Sequence, residues 1–433
     1  MRLVTPRTDG GRVALLAGCR TPFARAGTSY RDLTAVDLAK ACVRELIERS
    51  EIDPAAVDLV AMGQVIPSVK APNLAREVVL GAGLPAAVPA HSVNRACASA
   101  NQAIVDVALE ILAGHAEVGI AGGAESLSDV PILHSRRMAG ILVEASRARS
   151  LGSRLRAFSR VRPKDLVPDT PAIAEPSTGL SMGQSAERMA KENGISRQEQ
   201  DEIAYRSHRN AAAAIDDGRL TAETCTVRVP PGYEPVTGDN LVRRDTSREA
   251  LAALPPVFDR EHGSVTAGNA SPLTDGAAAV LLMAEARAKA EGLAPLAFIR
   301  SWAVAAVDPG WQLLMGPALA IPKALERAGL TLGDMDLIEM HEAFAAQVAS
   351  NIQALESERW AVEKLGRGSP VGTVDFNRLN VCGGSIAIGH PFGATGARLT
   401  TTLAAELARR NGKFGLLSVC AQGGMGFAMV LER

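Results

Sequence analysis

The sequence lacks three features: an excess of charge of one sign, a pattern of paired cysteines and a long uninterrupted hydrophobic run. Lys plus Arg number 46 and Asp plus Glu number 47 among the 433 residues. A balance this close gives no global attraction to nucleic acid or to an acidic membrane, so we expect no nucleic-acid partner. No segment approaches the ~18 apolar residues that a membrane span needs.

The six cysteines, at positions 19, 42, 97, 225, 382 and 420, include no C-x-x-C pair. In a chain of this length they match neither a disulfide framework nor a zinc site, and a reducing compartment fits best. The apolar run from Val13 to Ala17 is too short for the core of a signal sequence. We therefore expect a soluble protein of the cytoplasm.

Strand-like and helix-like patterns alternate through the first 125 residues and again from about residue 294 to the end. Such alternation is typical of α/β proteins. The similarity of the two patterns predicts two related lobes: an N-terminal lobe at 1–128, completed by about 257–293, and a C-terminal lobe at 294–433. The intervening stretch 129–256 is less periodic and richer in Pro and Arg, which predicts an inserted loop domain.

One segment of the predicted loop domain is strongly basic. From Arg136 to Lys164 there are nine basic residues against one acid, Glu144. A solvated helix face, a phosphate-binding patch, a partner surface and a membrane surface are all compatible with this spacing. Nine charges against one exceed what solubility requires, so we expect a docking surface for a partner subunit or an anionic membrane.

Cys97 lies between the predicted end of a strand and the start of a nearly all-apolar helix. Ser99 and Gln102 fit a capping box, which predicts that this helix begins just after the cysteine. The positive end of the helix would then lower the pKa of the thiol and favour a nucleophilic thiolate. The alternative is an inert, buried cysteine, which is common in protein cores.

A nucleophile needs a base, and the C-terminal lobe offers two groups. His390 stands between Gly389 and Pro391, which suits a histidine held at the apex of a loop; a structural histidine in a turn is the alternative. Cys420 ends an apolar strand before a glycine-rich turn, whose backbone N–H groups are suited to stabilising an oxyanion. Taken singly, Cys420 also fits a core position.

A strand gives way to a helix at His341, in the run H-E-A-F-A. The zinc motif H-E-x-x-H fails, because Ala345 stands where the second histidine belongs, and we expect no metal. A histidine at such a junction can instead orient a water or donate to a developing oxyanion.

Five motifs together resemble the thiolase family. They span almost the whole chain in the family's order: V-N-R-A-C-A-S at 93–99, V-T-A-G-N-A-S-P-L-T-D-G-A-A at 265–278, H-E-A-F-A at 341–345, G-H-P-F-G-A-T-G at 389–396 and C-A-Q-G-G-M-G at 420–426. The H-E-A-F variant and the long basic middle segment resemble, more narrowly, the β subunits of bacterial fatty-acid oxidation trifunctional complexes.

The resemblance implies a thiolase fold, with a mixed sheet between helices in each lobe, and a role for each motif residue. Cys97 becomes acylated, His390 is its base, Cys420 is a second acid and base, and His341 joins His390 in polarising the thioester oxygen. The resemblance also implies a substrate-binding set beside these groups, formed by Met182, Ser271 and Phe344.

Two positions depart from the family pattern. Gln422 stands where many thiolases have glycine; its backbone N–H still serves as an oxyanion donor with that of Cys97, provided that the turn needs no positive φ there. Ser181 replaces a histidine of short-chain biosynthetic thiolases, which favours longer or more varied substrates.

The implied function is thiolytic cleavage of 3-ketoacyl-CoA in fatty-acid β-oxidation, with CoA as a substrate and no cofactor. Three alternatives are a biosynthetic acetoacetyl-CoA thiolase, a ketoacyl synthase, which should have a second histidine in place of Cys420, and a non-catalytic lipid-binding or scaffold protein. The expected partners are a second copy of the chain, a hydratase/dehydrogenase α subunit, and a membrane surface in peripheral contact with 136–164.

Overall fold

The structure is a computed structural model that describes residues 11–168 and 174–433. The start of the predicted N-terminal lobe, 1–10, and a short part of the predicted loop domain, 169–173, lie outside the described residues. The strands are β1 (Val13–Arg20), β2 (Ala24–Arg25), β3 (Leu59–Gly63), β4 (Ala90–Val93), β5 (Val118–Glu125), β6 (Val227–Val229), β7 (Glu234–Val236), β8 (Thr274–Ala284), β9 (Ala297–Ala306), β10 (Leu337–Met340), β11 (Phe414–Ala421) and β12 (Met425–Glu432).

Helices separate most of these strands. The α-helices are α1 (Ala35–Ser50), α2 (Leu74–Gly81), α3 (Ser99–Leu112), α4 (Arg136–Arg147), α5 (Leu151–Phe158), α6 (Met182–Asn193), α7 (Arg197–Asp216), α8 (Arg219–Glu223), α9 (Arg248–Ala252), α10 (Glu285–Ala290), α11 (Gly316–Ala328), α12 (Ala345–Glu356), α13 (Glu358–Leu365), α14 (Ser385–Ile388) and α15 (Thr395–Arg410). Short 3₁₀ helices lie at Pro54–Ala56, Pro163–Leu166, Leu313–Met315 and Leu332–Asp334. The predicted α/β class is confirmed.

The large sheet contains the same strand arrangement twice. Its order is β10-β11-β12-β9-β1-β8-β5-β3-β4, with β2 paired to β8. In the first half, β3 and β5 are parallel, and β5, β8 and β1 are successively antiparallel. In the second half, β10 and β11 are parallel, and β11, β12 and β9 are successively antiparallel. The two halves are therefore topological repeats, in agreement with the similar sequence patterns.

The halves meet along β1 and β9, where Val13 to Leu15 pair with Ala297 to Ile299 in antiparallel register. Helices α3 and α15 pack against each other and lie in the same hydrophobic core, with α15 contacting strands of both halves. Helix α1 packs on the first half in a second core, and α11 packs on the second half in a third. Because α3 and α15 occupy the middle layer, the loops that precede them open into one region between the halves.

The halves differ in what joins their last two strands. Helices α4 to α9 and the small β6-β7 sheet lie between β5 and β8, in the stretch for which the sequence predicted a loop domain. Between β11 and β12 there is only a turn at 422–424. In the described part of the chain, no helix is both long and apolar enough to cross a membrane.

Candidate active site

Cys97 lies in a tight turn between β4 and α3. Ala96, just before it, has a φ of 46°, which a residue with a side chain rarely adopts. The Ser99 hydroxyl holds this turn: its oxygen accepts from the Arg95 N–H at 2.8 Å and its proton goes to the Ala96 carbonyl at 2.6 Å. The strained turn places Cys97, a partly buried residue, at the start of a largely buried helix.

The predicted capping box at Ser99 and Gln102 is wrong. Helix α3 begins at Ser99, its N-cap residue is Ala98, and no side chain caps it. The Ser99 hydroxyl is already used by the turn, and the Gln102 amide donates to Asp106 at 2.6 Å instead. The position of the helix start was predicted correctly, but the residue that was expected to cap it fixes the cysteine turn instead.

The expected lowering of the thiol pKa is also wrong. Burial raises the pKa of Cys97 to about 12, although the backbone N–H groups of Gln422 and of Cys97 itself favour the thiolate. Desolvation of the charge outweighs these N–H groups, and the Glu125 carboxyl raises the pKa further. The resting cysteine is therefore a thiol, and it needs a base that removes its proton during attack.

His390 has the geometry of that base. Its Nδ1 lies 2.6 Å from the Thr395 hydroxyl, whose own proton goes to the Pro391 carbonyl at 3.0 Å. We therefore assign the ring proton to Nδ1, which leaves a lone pair on Nε2. Nε2 is buried, and no described residue forms a hydrogen bond with it. Burial and then the charge of Arg398 lower the pKa of His390 to about 3, so the ring is neutral.

His341 follows β10 and faces His390, with ring centroids 4.1 Å apart and planes at 50°. Its Nδ1 lies 2.9 Å from the Ser385 hydroxyl, and its buried Nε2 has no hydrogen-bond partner within residues 11–168 and 174–433. Burial, His390 and Arg398 hold the pKa of His341 well below its usual range. Two neutral imidazoles thus place unpartnered nitrogens in one pocket.

The structure brings the predicted nucleophile and both histidines together. Cys97 Sγ and one ring nitrogen each of His341 and His390 all lie within 4.8 Å of one another. One thiol and two imidazoles are also ligands that zinc accepts, so these residues could hold a metal ion. The sequence predicted none, and that stays a prediction. A thiol beside a neutral imidazole also forms a nucleophile and base pair.

Cys420 is the second thiol of the site, near the end of β11. Its side chain is buried, and burial together with the nearby Cys97 raises the pKa of Cys420 well above its usual value. In the turn that follows, φ is positive at Gly423 (84°) and Gly424 (74°) but not at Gln422. Gln422 therefore needs no positive φ, and its backbone N–H lies near enough to the Cys97 sulfur to favour the thiolate.

The predicted substrate-binding residues lie on segments that contact those of Cys420 and His341. Met182, the first residue of α6, and Phe344 pack against the apolar cluster that contains Cys420. Phe258, which the sequence did not indicate, meets Phe344 edge to face at a centroid distance of 6.2 Å. Ser271 donates its N–H to the Ala343 carbonyl at 2.9 Å, which ties its segment to the His341 loop.

Two buried carboxyl groups that sequence reasoning missed hold the loops of the site. Glu125, at the end of β5, accepts backbone N–H bonds from Val65, Ile66 and Gly393 at 3.0 Å each. Its burial raises its pKa to about 7. Glu342 accepts from Ser207 at 2.6 Å, from Asn380 at 2.7 Å and from the Ile386 N–H at 3.2 Å. Glu342 stands inside the H-E-A-F motif, which was a usable signal, whereas Glu125 has no local signal.

The fold and this cluster of two cysteines and two histidines define a class of protein. The chain matches the family description "Thiolase, N-terminal domain" over residues 13–286 and "Thiolase, C-terminal domain" over residues 293–433. It therefore belongs to the thiolase family.

Among its relatives, the 3-ketoacyl-CoA thiolases of Escherichia fergusonii and Cronobacter sakazakii are 53% and 52% identical over 424 residues, which cover 98% of this chain and 97% of each relative. Solved structures of a Bacillus anthracis acetyl-CoA acetyltransferase and of human mitochondrial 3-ketoacyl-CoA thiolase both superpose with a TM-score of 0.83. Their sequence identities are 34% and 35%, and each comparison covers 98% of both chains.

Proposed function

We propose that the protein cleaves 3-ketoacyl-CoA with CoA, giving acetyl-CoA and a shortened acyl-CoA, as a step of fatty-acid β-oxidation. One observation carries this: the Cys97 thiol shares a pocket with a neutral imidazole, His390, whose Nε2 carries a free lone pair. The presence of Cys420 favours a thiolase over a ketoacyl synthase, which should have a histidine there. The named relatives support the choice of substrate.

In the first half-reaction, His390 Nε2 takes the Cys97 proton as sulfur attacks the 3-keto carbon. The resulting oxyanion accepts hydrogen bonds from donors in the site, each worth around 3 to 4 kcal/mol. The bond between the second and third carbons then breaks, which leaves an acyl thioester on Cys97 and the enolate of acetyl-CoA. Cys420 donates its proton to that enolate, and acetyl-CoA leaves.

In the second half-reaction, the Cys420 thiolate removes the proton of an incoming CoA thiol. The CoA sulfur attacks the acyl-enzyme, and Cys97 departs as a thiolate that recovers its proton from the His390 imidazolium. The raised pKa of Cys420 supports the second step in particular, since it makes the Cys420 thiolate a strong base toward the CoA thiol. Every group in these steps belongs to the chain or to CoA, so the proposal needs no cofactor.

The decisive experiment is an assay of purified protein with CoA and 3-ketoacyl-CoAs of several chain lengths. We expect acetyl-CoA and the shortened acyl-CoA in equal amounts. Absence of both products with every substrate, in protein that unfolds cooperatively, would contradict the proposal. Because Ser181 stands where short-chain biosynthetic thiolases have histidine, we expect turnover of medium or long acyl chains as well as of acetoacetyl-CoA.

We propose that the protein is a homodimer and that it binds a hydratase/dehydrogenase subunit. The first proposal rests on the resemblance to the thiolase family, and the second on the narrower resemblance to trifunctional-complex β subunits. Light scattering tests the first, with a fully active monomer as the contrary result. Co-purification with an α subunit of this class tests the second.

We further propose that 136–164 docks on an anionic membrane. Helices α4 and α5 pack on each other through a small core of Ile141, Ala145 and Ala157. Leu151 and Leu155 are 76% and 64% exposed, on a helix that also carries exposed arginines. Exposed apolar side chains among cations are the pattern of an interfacial helix. Docking on a partner subunit is the contrary outcome of the same binding experiment.

A further inference from the structure

A buried cation lies behind the two histidines of the site. Arg398, on α15, has a fully buried side chain, and its Nη2 donates to the Ser385 hydroxyl oxygen at 3.2 Å. Its Nη1 lies 3.6 Å from Oε2 of Glu339, which is beyond hydrogen-bond distance. Among the described residues, Nε and Nη1 have no hydrogen-bond partner. A guanidinium so poorly satisfied is costly to bury, which points to a role other than stability.

The Ser385 hydroxyl connects Arg398 to His341. Arginine only donates hydrogen bonds, so its contact occupies a lone pair of Ser385 Oγ and leaves the hydroxyl proton for another acceptor. In the described parts of the chain, the acceptor within reach is His341 Nδ1, at 2.9 Å. Ser385 therefore donates to Nδ1, and the ring proton of His341 resides on Nε2.

This assignment makes the two facing rings complementary. His390 has its proton on Nδ1, fixed by Thr395, and presents a lone pair to the pocket. His341 presents an N–H to the same pocket from a ring centroid 4.1 Å away. One imidazole can then accept the Cys97 proton while the other donates to a developing oxyanion.

We propose that Arg398, acting through Ser385, is a positioning residue that holds His341 as an N–H donor toward the reacting carbonyl oxygen. The chemical consequence of this inference rests on the proposed thiolysis. The tautomer of His341 does not depend on that proposal. If Ser385 accepted a hydrogen bond from Nδ1, a lone pair of Nε2 would face the oxyanion and repel it. The charge of Arg398 also disfavours protonation of either histidine, which keeps His390 available as a base.

The first test removes the link without removing a large side chain. Ser385→Ala deletes the donor to Nδ1. We expect kcat to fall about 10-fold or more with little change in KM, because an oxyanion donor acts mainly in the transition state. The matched control is Ser350→Ala: Ser350 is equally buried, lies on α12, and has an unpartnered hydroxyl. Wild-type kcat in Ser385→Ala, or an equal loss in the control, would overturn the proposal.

The second test reads the tautomer directly, by ¹⁵N NMR of the full-length protein with labelled histidine rings. We expect the wild-type protein to carry the His341 proton on Nε2, with the signal assigned by its loss in His341→Gln. In Ser385→Ala and Arg398→Met the proton should shift toward Nδ1. A wild-type His341 protonated on Nδ1 would overturn the proposal.

The NMR measurement needs no turnover. A wild-type protein with the expected tautomer and no thiolysis would therefore contradict the proposed function alone. Should Arg398→Met fail to fold, Ser385→Ala carries both tests, because it changes only one hydroxyl.

Discussion

The two halves of the sheet share a strand order but supply different chemistry. The middle-layer helix of the first half follows the turn of Cys97, and that of the second follows the loop of His390. The first half's β5 ends in Glu125, which ties loops together through backbone N–H groups, whereas the second half's β11 carries Cys420 near its end. The repeated topology thus brings the ends of corresponding strands to one place, and the residue at each strand end decides the chemistry there.

The largest difference between the halves should appear on removing the nucleophile. Cys97→Ser should abolish the acyl adduct that intact-mass spectrometry detects after incubation with 3-ketoacyl-CoA, and turnover should fall by about 10⁴ or more. Cys42→Ala is the control, since Cys42 is a buried cysteine of the same half that lies outside the site. An adduct that survives Cys97→Ser would remove Cys97 from its assigned role.

The second half should show a smaller but still severe loss. Cys420→Ala removes the group proposed to protonate the enolate and to activate CoA, and proton transfer by a placed group contributes roughly 10² to 10⁴ in rate. We expect cooperative unfolding to be retained, because the change removes a single sulfur. Near-normal turnover in this variant would show that Cys420 is only a core residue. The catalytic groups of the second half would then be His390 and His341.

The sequence predicted the elements and the contents of the pocket better than the interactions inside it. Periodicity was sufficient for the α/β class and for two related halves, because both depend on local hydrophobic pattern. The motifs identified Cys97, His390 and Cys420, which the fold brings together. Spacing could not show that Ser99 fixes a turn, because the same local pattern also fits a helix cap. It could not show that burial raises the Cys97 pKa either, since that burial depends on residues distant along the chain.

The same limit explains why the supporting residues were missed. Ser385 and Thr395 stand in or beside quoted motifs, yet their hydrogen bonds to the two histidines appear only once α14 and α15 are in place. Arg398 reads from the sequence as an ordinary helical arginine, and its complete burial follows from the position of α15 between the two halves. The roles of Ser385, Thr395 and Arg398 are set by their tertiary environment, which cannot be read from the neighbouring sequence.

His390, a buried neutral histidine of the second half, should make the free energy of unfolding depend on pH. Its folded pKa of about 3 lies below the unfolded value of about 6.5, so unfolding binds a proton between these limits. The free energy of unfolding therefore falls as pH drops below about 6.5, and His390 alone accounts for about 2 kcal/mol between pH 6.5 and 5. Urea unfolding of His390→Gln should show a pH dependence that is shallower by that amount, and an unchanged dependence would contradict a buried neutral ring.

A milder perturbation of the first half is the turn that carries the nucleophile. Ser99→Ala removes both hydrogen bonds that hold Arg95 and Ala96, and we expect kcat to fall about 10-fold while Cys97 still becomes acylated. Ser350→Ala again serves as the control, because its hydroxyl supports no turn. A Ser99→Ala enzyme with wild-type kcat would show that the strained backbone at Ala96 needs no side-chain support.

The smallest effect on catalysis should come from changing the basic segment 136–164, which lies in the insertion of the first half and has no counterpart in the second. We call α4, α5 and the short segment that joins them the hairpin; it carries the exposed residues Arg147, Arg149, Arg154 and Arg156. Reversing all four to Glu should leave the KM for CoA within a few-fold. The same variant should lose salt-sensitive binding to anionic vesicles, because screening and charge reversal act on the same attraction.

The control reverses four exposed arginines elsewhere, at Arg31, Arg209, Arg359 and Arg367, so that net charge changes equally. If the control loses vesicle binding to the same extent, the attraction is global and the hairpin has no special role. If the hairpin variant instead raises the KM for CoA sharply and leaves vesicle binding intact, the arginines bind CoA phosphates. Retained KM with lost vesicle binding in the hairpin variant alone would show that α4 and α5 provide a membrane surface that the thiolysis itself does not need.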